Sequence, residues 1–270
     1  MSLGEEIKQS VKSSAEQSLI TAVRSLGGPI LLERSVKLIS HHLQMGRFLI
    51  SLPKTSLYPQ PEKSLAKICL DHGAPHDAYA KLASHLKAAH AIHFGFEPDG
   101  ETSLFKCYLE FTHELAPKPN LVFMALKWSL LPIDTKNNYV ETRYWSRNAL
   151  TLTEKKSLIA EVLPVGDIRM VACRMLDIAD TLMHKSSFLE VDEVGNPRRS
   201  IDINIADAEY TLLFLREELL SVFKSCCVNE LLLKDLLERE GSALLGHFAA
   251  GKARSGQTFA SLYFGADFDQ

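Results

Sequence analysis

The segment Thr102–Phe111, TSLFKCYLEF, constrains the fold more than any other part of this chain, because it alternates strictly between two kinds of side chain. Such alternation predicts a β-strand with two different faces. One face is mostly polar and carries Thr102, Leu104, Lys106, Tyr108 and Glu110. The other is mostly apolar and carries Ser103, Phe105, Cys107, Leu109 and Phe111. A fold must therefore bury the second face and place the first against water or a polar cavity.

Predicted strand pairs alternate with predicted helices along the whole chain. Helices are expected at residues 4–26, 29–44, 64–70, 75–89, 153–163, 167–185, 207–225 and 229–240. Strands are expected at residues 47–50, 91–97, 102–111, 121–129, 139–145, 188–194, 199–205, 242–250 and 257–264. Turn residues join the pairs, as in Asp99-Gly100 and in the loop with Pro132, Asp134 and Asn137-Asn138. Thr151 and Glu154 form a capping box that opens one helix.

This order of elements predicts an α+β fold with an antiparallel sheet and helices on one of its faces. About nine strands are difficult to hold in one open, twisted sheet, and closure removes the edges. We therefore predict a single domain over residues 1–270, built as a closed barrel of about ten strands with helices outside. An open sheet whose polar face is simply solvated is the alternative.

Aromatic residues among the polar faces favour the barrel over the open sheet. Phe123, Tyr139, Trp145, Phe259 and Tyr263 share faces with charged or hydroxyl-bearing side chains. A solvated face would not normally collect so many rings, whereas a ligand cavity is lined by such a mixture.

Composition excludes some functions. The 270 residues carry a formal net charge of −3, which argues against a nucleic-acid partner. The polar N-terminus lacks a signal peptide's apolar core, and no apolar run is long enough to span a bilayer, so no membrane partner is expected. Five irregularly spaced cysteines without C-x-x-C favour reduced thiols. Together these features favour the cytoplasm, and the oligomeric state is left open.

Known cofactor and metal motifs are not found in the sequence. There is no P-loop, no G-x-G-x-x-G and no G-x-S-x-G. The ten histidines include no H-E-x-x-H, so we expect neither a metal site nor a cofactor. His93 and His247 lie within predicted strands, which makes them candidates to line a cavity and bind a substrate.

Two hairpins resemble the ABBA-type aromatic prenyltransferases. The stretch HFGFEPDGETSLFKCYLEF, from His93 to Phe111, is similar to a hairpin in which a Gly-Phe-acid element leads into a strand with Lys-x-Tyr, here Lys106-Cys107-Tyr108. The terminal TFASLYFGADF resembles their closing hairpin. The order of strand pairs and helices is also similar to their ten-stranded antiparallel barrel.

The resemblance implies transfer of a prenyl group from a prenyl diphosphate to an aromatic small molecule or peptide, without an essential metal. It implies that Lys106 and Tyr108 bind the diphosphate and shield the allylic cation, and, more loosely, that Tyr263 does so too. Strand position and alternation add Arg47, Lys127 and Arg143 as further substrate-binding residues. The enzyme hypothesis requires Lys106, Tyr108, Lys127 and Arg143 to converge in one cavity.

Acidic residues on the polar faces bear on the same hypothesis. Glu97 stands where a carboxylate could accept the N–H or O–H of an acceptor, so it is the candidate catalytic residue. Glu110, Glu141 and Asp202 would repel a diphosphate unless cations pair with them. Their presence leaves two other functions open: a non-catalytic protein that binds a small amphipathic ligand, and a scaffold whose polar sheet face binds a protein partner.

Overall fold

The computed structural model describes residues 3–99, 102–130, 138–182 and 187–269, and only the backbone at 3–13, 99, 102 and 269. The strands are β1 Ile30–Ile39, β2 His42–Pro53, β3 Ala89–Asp99, β4 Thr102–Phe111, β5 Leu121–Ser129, β6 Tyr139–Ser146, β7 Phe188–Glu193, β8 Asn196–Asn204, β9 Leu245–Lys252 and β10 Thr258–Asp269. The helices are α1 Leu3–Arg24, α2 Pro61–Asp71, α3 His76–Leu86, α4 Leu152–Val162, α5 Asp167–Thr181, α6 Arg216–Ser225 and α7 Glu230–Glu240.

The strands form one closed sheet in the order β1-β10-β9-β8-β7-β6-β5-β4-β3-β2. The pairings of β2 with β3, β3 with β4, β4 with β5, β7 with β8, β8 with β9 and β9 with β10 are antiparallel. The prediction of an antiparallel barrel of about ten strands is thus confirmed, and the open-sheet alternative is excluded.

The helix predicted at residues 29–44 is wrong, because this segment forms β1 and the start of β2. Val36 and Leu38 are buried at alternate positions, which is the period of a strand. His41 has φ 60° at the turn between the two strands, so no helix can continue through it. Hydrogen bonding to β10 and β2 on its two sides outweighs the local helix propensity of the segment.

Other differences concern the ends of elements. The helix predicted at residues 207–225 is a short 3₁₀ turn at 206–208 followed by α6, which begins only at Arg216. α3 ends at Leu86, so Ala89 begins β3 instead of ending a helix. Gly100, Glu101, the loop at 131–137 and the predicted end of a helix at Lys185 lie outside the described residues.

The chain divides into two compact units. The first unit comprises residues 1–32, 47–143 and 267–270, and the second comprises residues 33–46 and 144–266. Whether both belong to the single predicted domain stays a prediction. In the part of the chain that the structure describes, the helices of each unit pack on one face of its sheet, and we call the opposite face its helix-free face.

In the first unit, α1, α2 and α3 cover the apolar faces of the strands. Phe105 of β4 stacks on Trp128 of β5 with ring centroids 6.4 Å apart, and it packs edge-on against Phe96 of β3 at 5.8 Å. The indole of Trp128 donates to the backbone oxygen of His72, which follows α2. The apolar alternation of Thr102–Phe111 therefore marks the helix-covered face, as predicted.

In the second unit, α4 to α7 pack on one buried core. Ile201 and Ile203 of β8 and Phe248 of β9 are fully buried in it, beside Met175 of α5 and Leu219 of α6. Among the described residues, all five cysteines are free, and no helix is long and apolar enough to cross a membrane.

The predicted capping box is present at the start of α4. The Thr151 Oγ1 accepts from the backbone N–H of Glu154, and the Glu154 carboxylate accepts from the backbone N–H of Thr151 at 2.8 Å. Both contacts satisfy backbone donors that a helix start leaves without intrahelical partners.

We expect Thr151→Ala to lower the free energy of unfolding by about 1 kcal/mol, because it removes the cap. Chemical denaturation followed by circular dichroism measures the change. The control is Thr153→Ala in the same exposed turn, whose side chain lies past the cap position. Equal effects of the two substitutions would contradict the assignment of the cap.

Candidate functional site

A group of ionic side chains meets on the helix-free face of the first unit. The carboxylate of Glu97 in β3 accepts from Nη2 of Arg47 at 2.5 Å, from Nζ of Lys106 at 2.6 Å and from Nζ of Lys127 at 2.7 Å. Arg47 Nε donates to the same carboxylate at 3.1 Å. We call these four residues the cationic cluster. β2, β3, β4 and β5 each contribute one member.

The sheet register explains why these side chains meet. Gly95 pairs with Lys106 across β3 and β4, and Lys106 pairs with Lys127 across β4 and β5. Residues directly opposite each other on neighbouring strands share a face. Glu97 lies two positions beyond Gly95 and therefore also points to the helix-free face.

Gly95 lies beside the lysine stem between the strands. A methyl group at its Cα would lie 3.4 Å from Cβ and 3.5 Å from Cδ of Lys106. These are ordinary van der Waals distances, so the path of the Lys106 side chain to the Glu97 carboxylate does not require a glycine at this position.

The cluster is buried and carries an excess of positive charge. The side chains of Arg47 and Glu97 are only 3% and 5% exposed, and those of Lys106 and Lys127 are 14% and 28% exposed. Within the cluster, three cations surround one carboxylate. Burial is the main cause that lowers the pKa of Lys127; the Glu97 carboxylate opposes the effect, and the charges of Lys106 and Arg47 add to it.

A second polar group lies further along the same strands. His93 contacts the Ser51 Oγ through Nδ1 at 2.7 Å and the Glu110 carboxylate through Nε2 at 2.9 Å. Its ring packs edge-on against Tyr108 and Phe123, with centroid distances of 6.3 and 5.5 Å. Glu110 thus has a partner, as a carboxylate near an anion site requires.

Arg143 does not join the other three predicted binding residues. Its Nε donates to Glu141 at 2.8 Å, and the same Glu141 carboxylate forms an ion pair with Lys81 of α3. Because α3 lies on the helix-covered side, this ion-pair group is separate from the cationic cluster. Of the four residues expected to converge, Lys106 and Lys127 meet at Glu97, and Tyr108 lies two positions along β4 from Lys106 on the same face.

The predicted site residues of the second unit form a group of their own. His247 of β9 contacts Asp202 through Nδ1 at 2.8 Å and the Asn204 amide through Nε2 at 3.1 Å. Its ring packs against Tyr263 of β10 with a centroid distance of 6.2 Å. The Asp202 carboxylate is thus paired, and His247 and Tyr263 are neighbours, as an aromatic-lined polar face predicts.

Glu33 of β1 lies beside this histidine and is buried. Burial is the main cause that raises its pKa; His247 opposes the effect, and the Asp202 charge adds to it. The sequence analysis missed Glu33 because it assigned the segment to a helix. A strand reading would have placed Glu33 on the face opposite Val36 and Leu38.

Another carboxylate with cationic partners lies in the second unit. The Glu193 side chain is 1% exposed and pairs with Arg198 at 3.1 Å and Arg254 at 2.6 Å. Lys37 Nζ lies 4.7 Å from the centroid of the Phe259 ring, and the guanidinium of Arg198 lies 5.8 Å from it. The sequence analysis missed these cations; Arg198 lies only five residues from Glu193 in the same hairpin, whereas Lys37 and Arg254 are distant along the chain and no local signal joins them to it. Among the described residues, no group of three or more His, Cys, Asp or Glu side chains is arranged to hold a metal ion.

We expect Glu97→Gln to destabilise the chain by about 3–5 kcal/mol, because it leaves three largely buried cations without their carboxylate. Chemical denaturation at moderate salt measures the change. Asp71→Asn is the control, since Asp71 pairs with Lys67 in an exposed position and should cost less than about 1 kcal/mol. A loss for Glu97→Gln no larger than that of the control would mean that the cluster is not held by its carboxylate.

Glu33→Gln should stabilise the chain increasingly as the pH rises. A raised pKa means that the folded state holds the Glu33 proton when the unfolded state has released it, so the wild type loses stability above the unfolded pKa of about 4.3. The stability difference should be small near pH 4 and largest near pH 8, as measured by thermal unfolding. The control, Glu217→Gln, changes an exposed side chain and should show no such trend. If the stability difference between Glu33→Gln and the wild type were constant across the pH range, the pKa of Glu33 would not be raised in the folded state.

Comparison with known proteins gives matches only at the level of structure, since no family model and no curated protein matches the sequence. PriB in a binary complex with product diphosphate has a TM-score of 0.62 and 12% identity, covering 87% of this chain and 79% of that one. The prenyltransferase PriB in its apo form has a TM-score of 0.59 and 12% identity, covering 93% and 90%. A 6-dimethylallyl tryptophan synthase has a TM-score of 0.55 and 10% identity, covering 86% and 80%.

These matches extend over most of this chain and of each matched chain. At identities this low, the structural similarity establishes a shared fold only. The function must be argued from the side chains of the site. The chain has the fold of the ABBA-type aromatic prenyltransferases, as the resemblance of its two hairpins implied.

Proposed function

We propose that this chain transfers a prenyl group from a prenyl diphosphate to an aromatic acceptor, a small molecule or a peptide. The observation that carries the proposal is the cationic cluster, in which Arg47, Lys106 and Lys127 outnumber the single carboxylate of Glu97 in a largely buried place. A diphosphate is a multiply charged anion and would balance this excess. Cations in a place partly screened from water stabilise a leaving anion more than they would in water.

The chemistry follows from the leaving group. When the C–O bond of the allylic diphosphate breaks, its electron pair leaves with the diphosphate, and a carbocation remains. Lys106 and Lys127 would stabilise the diphosphate through their ammonium groups, and Arg47 through its guanidinium. The π electrons of the acceptor then attack the carbocation, and a proton is released from the acceptor.

Aromatic rings on the same face as the cluster suit the carbocation. Tyr108 lies two residues from Lys106 on the same face of β4, and Phe123 of β5 lies further along the sheet, against the ring of His93. The faces of such rings attract cations, and their bulk keeps water from capturing the carbocation. Tyr263, the other tyrosine predicted to bind the substrate, lies in the second unit, where it packs on His247.

The ligands named for two of the structural neighbours support this proposal. One PriB structure contains product diphosphate. The prenyltransferase NotF in complex with brevianamide F and DMSPP has a TM-score of 0.54 and 12% identity, covering 88% of this chain and 80% of that one. Together with the cluster, these complexes favour a prenyl diphosphate over other anions.

Calorimetry with non-hydrolysable analogues of dimethylallyl and geranyl diphosphate, with and without Mg²⁺, tests the proposal. We expect micromolar binding that does not require Mg²⁺, and at least about tenfold weaker binding for Lys106→Ala or Lys127→Met, since each removes one charge-assisted contact. Lys67→Ala, which changes an exposed lysine paired with Asp71, is the matched control. Glu97→Gln, if folded, should bind no more weakly than the wild type, because it increases the positive charge.

Turnover separates the enzyme from a carrier. The wild type is incubated with dimethylallyl diphosphate and a panel of indole- and phenol-containing acceptors, and products are detected by mass spectrometry. Prenylated acceptor supports the proposal. Binding of the analogues without any product would favour the non-catalytic ligand-binding protein, and no binding would remove the basis of both.

A further inference from the structure

Prenyl transfer to an aromatic acceptor releases a proton, and the geometry of the first unit points to the group that takes it. Ser51, His93 and Glu110 form a continuous hydrogen-bonded row across β2, β3 and β4. The Ser51 Oγ lies 2.7 Å from Nδ1 of His93, whose Nε2 lies 2.9 Å from the Glu110 carboxylate. This inference rests on the proposed function and deepens it.

The partners of His93 define where its proton resides. An ionised carboxylate can only accept hydrogen bonds, so Nε2 of His93 must donate to Glu110. In the neutral imidazole the other nitrogen then carries a lone pair, so Nδ1 accepts from the Ser51 hydroxyl. The row therefore runs in one direction, from the Ser51 O–H through the imidazole to the carboxylate.

The row lies beside the cationic cluster without being part of it. Ser51 and His93 are opposite each other in the register of β2 and β3, and His93 is opposite Tyr108 in that of β3 and β4. His93 and Glu97 are four residues apart on one face of β3, which corresponds to about 13 Å along an extended strand. The interval is occupied on β3 by Gly95, which adds no side chain to that face.

Glu97 is less suited to accept the proton than its position in the sequence implied. Its two carboxylate oxygens accept from Arg47, Lys106 and Lys127. Protonation of Glu97 would remove the negative charge that holds these three cations together. We assign Glu97 the role of positioning the cations, and its predicted catalytic role of accepting the N–H or O–H of the acceptor is not required by this arrangement.

We propose that Ser51, His93 and Glu110 form the proton acceptor of the reaction, with the Ser51 hydroxyl in contact with the aromatic acceptor. After the new bond to the prenyl group forms, the acceptor loses a proton to the Ser51 Oγ as the Ser51 hydrogen moves to Nδ1 of His93. The bond electrons return to the acceptor ring, and the resulting imidazolium is stabilised by the Glu110 carboxylate. The products are diphosphate, the prenylated acceptor and a protonated His93, and together they contain all atoms and charges of the prenyl diphosphate, the acceptor and the neutral imidazole.

Other titratable groups near His93 belong to the same row or are spectators. His90 Nε2 lies 3.6 Å from the other oxygen of Glu110, and its side chain is 44% exposed. Tyr108 and Phe123 contact the His93 ring through their edges or faces. His90→Gln is therefore a matched control: it removes a histidine beside Glu110 and leaves the contacts from Ser51 to Glu110 in place.

The protonation state of the row is tested first, by ¹⁵N NMR of the full-length protein labelled at histidine, with the His93 signals assigned by loss in His93→Gln. We expect a neutral ring with its hydrogen on Nε2, and a change of both ¹⁵N shifts in Ser51→Ala and in Glu110→Gln. His90→Gln should leave the tautomer unchanged. A hydrogen on Nδ1, or ¹⁵N shifts that change with neither substitution, would contradict the proposed role of Ser51, His93 and Glu110, whatever the activity of the protein.

The chemical role is tested on whichever panel acceptor the wild type prenylates, with deuterium at the position that loses its proton. Ser51→Ala, His93→Gln and Glu110→Gln should lower turnover by about 100-fold or more, the contribution typical of a general base. A primary isotope effect should appear in these variants and be absent in the wild type. Ser51→Thr, which keeps the hydroxyl, should restore most of the turnover.

Calorimetry separates this proposal from that of prenyl transfer. Because they leave the cationic cluster intact, three variants should bind the dimethylallyl diphosphate analogue within about twofold of the wild type: Ser51→Ala, His93→Gln and Glu110→Gln. If these variants fold, bind the analogue and have turnover rates within threefold of that of His90→Gln, the proposed role of Ser51, His93 and Glu110 is wrong. The proposal of prenyl transfer would not be affected. A wild type that binds but prenylates no acceptor would instead overturn prenyl transfer and, with it, this role for the row.

Discussion

Closure of the sheet with helices on only one of its faces is the constraint on which the arrangement of this chain depends. A closed sheet has no edge, so each strand must place its two sets of side chains on two faces with different surroundings. The helices take the apolar set, as Phe105 and Trp128 show in the first unit and Phe248 shows in the second. The polar set on the opposite face must then find partners within that face, because burial without partners is costly.

Several carboxylates on the helix-free faces have hydrogen-bonding or ionic partners there. Glu110 pairs with His93, Asp202 with His247, and Glu193 with two arginines. The cationic cluster is different in that three cations share the single carboxylate of Glu97. The diphosphate of the proposed substrate would bring further negative charge to these cations.

The proposed division of work follows from this difference in charge. A carboxylate held by three cations is suited to position them, while a carboxylate that backs a neutral imidazole is suited to stabilise a proton on it. Both arrangements lie on β3 and its neighbours, about 13 Å apart along the strand. The separation would let the leaving diphosphate and the departing proton be received by different groups.

Much of this could be predicted from the sequence, because alternation is a local property. The period of two in Thr102–Phe111 and its counterparts was sufficient to predict an antiparallel barrel and to place Lys106 and Tyr108 on one face. The strand β1 could not be predicted, since its residues favour a helix locally and only pairing with β10 and β2 makes it a strand. Contacts that depend on the register between strands, such as that of Ser51 with His93, could not be predicted from the sequence either. Local periodicity determined which residues share a face, whereas only the tertiary structure decided which of them touch, because register and side-chain reach depend on strands far apart in the chain.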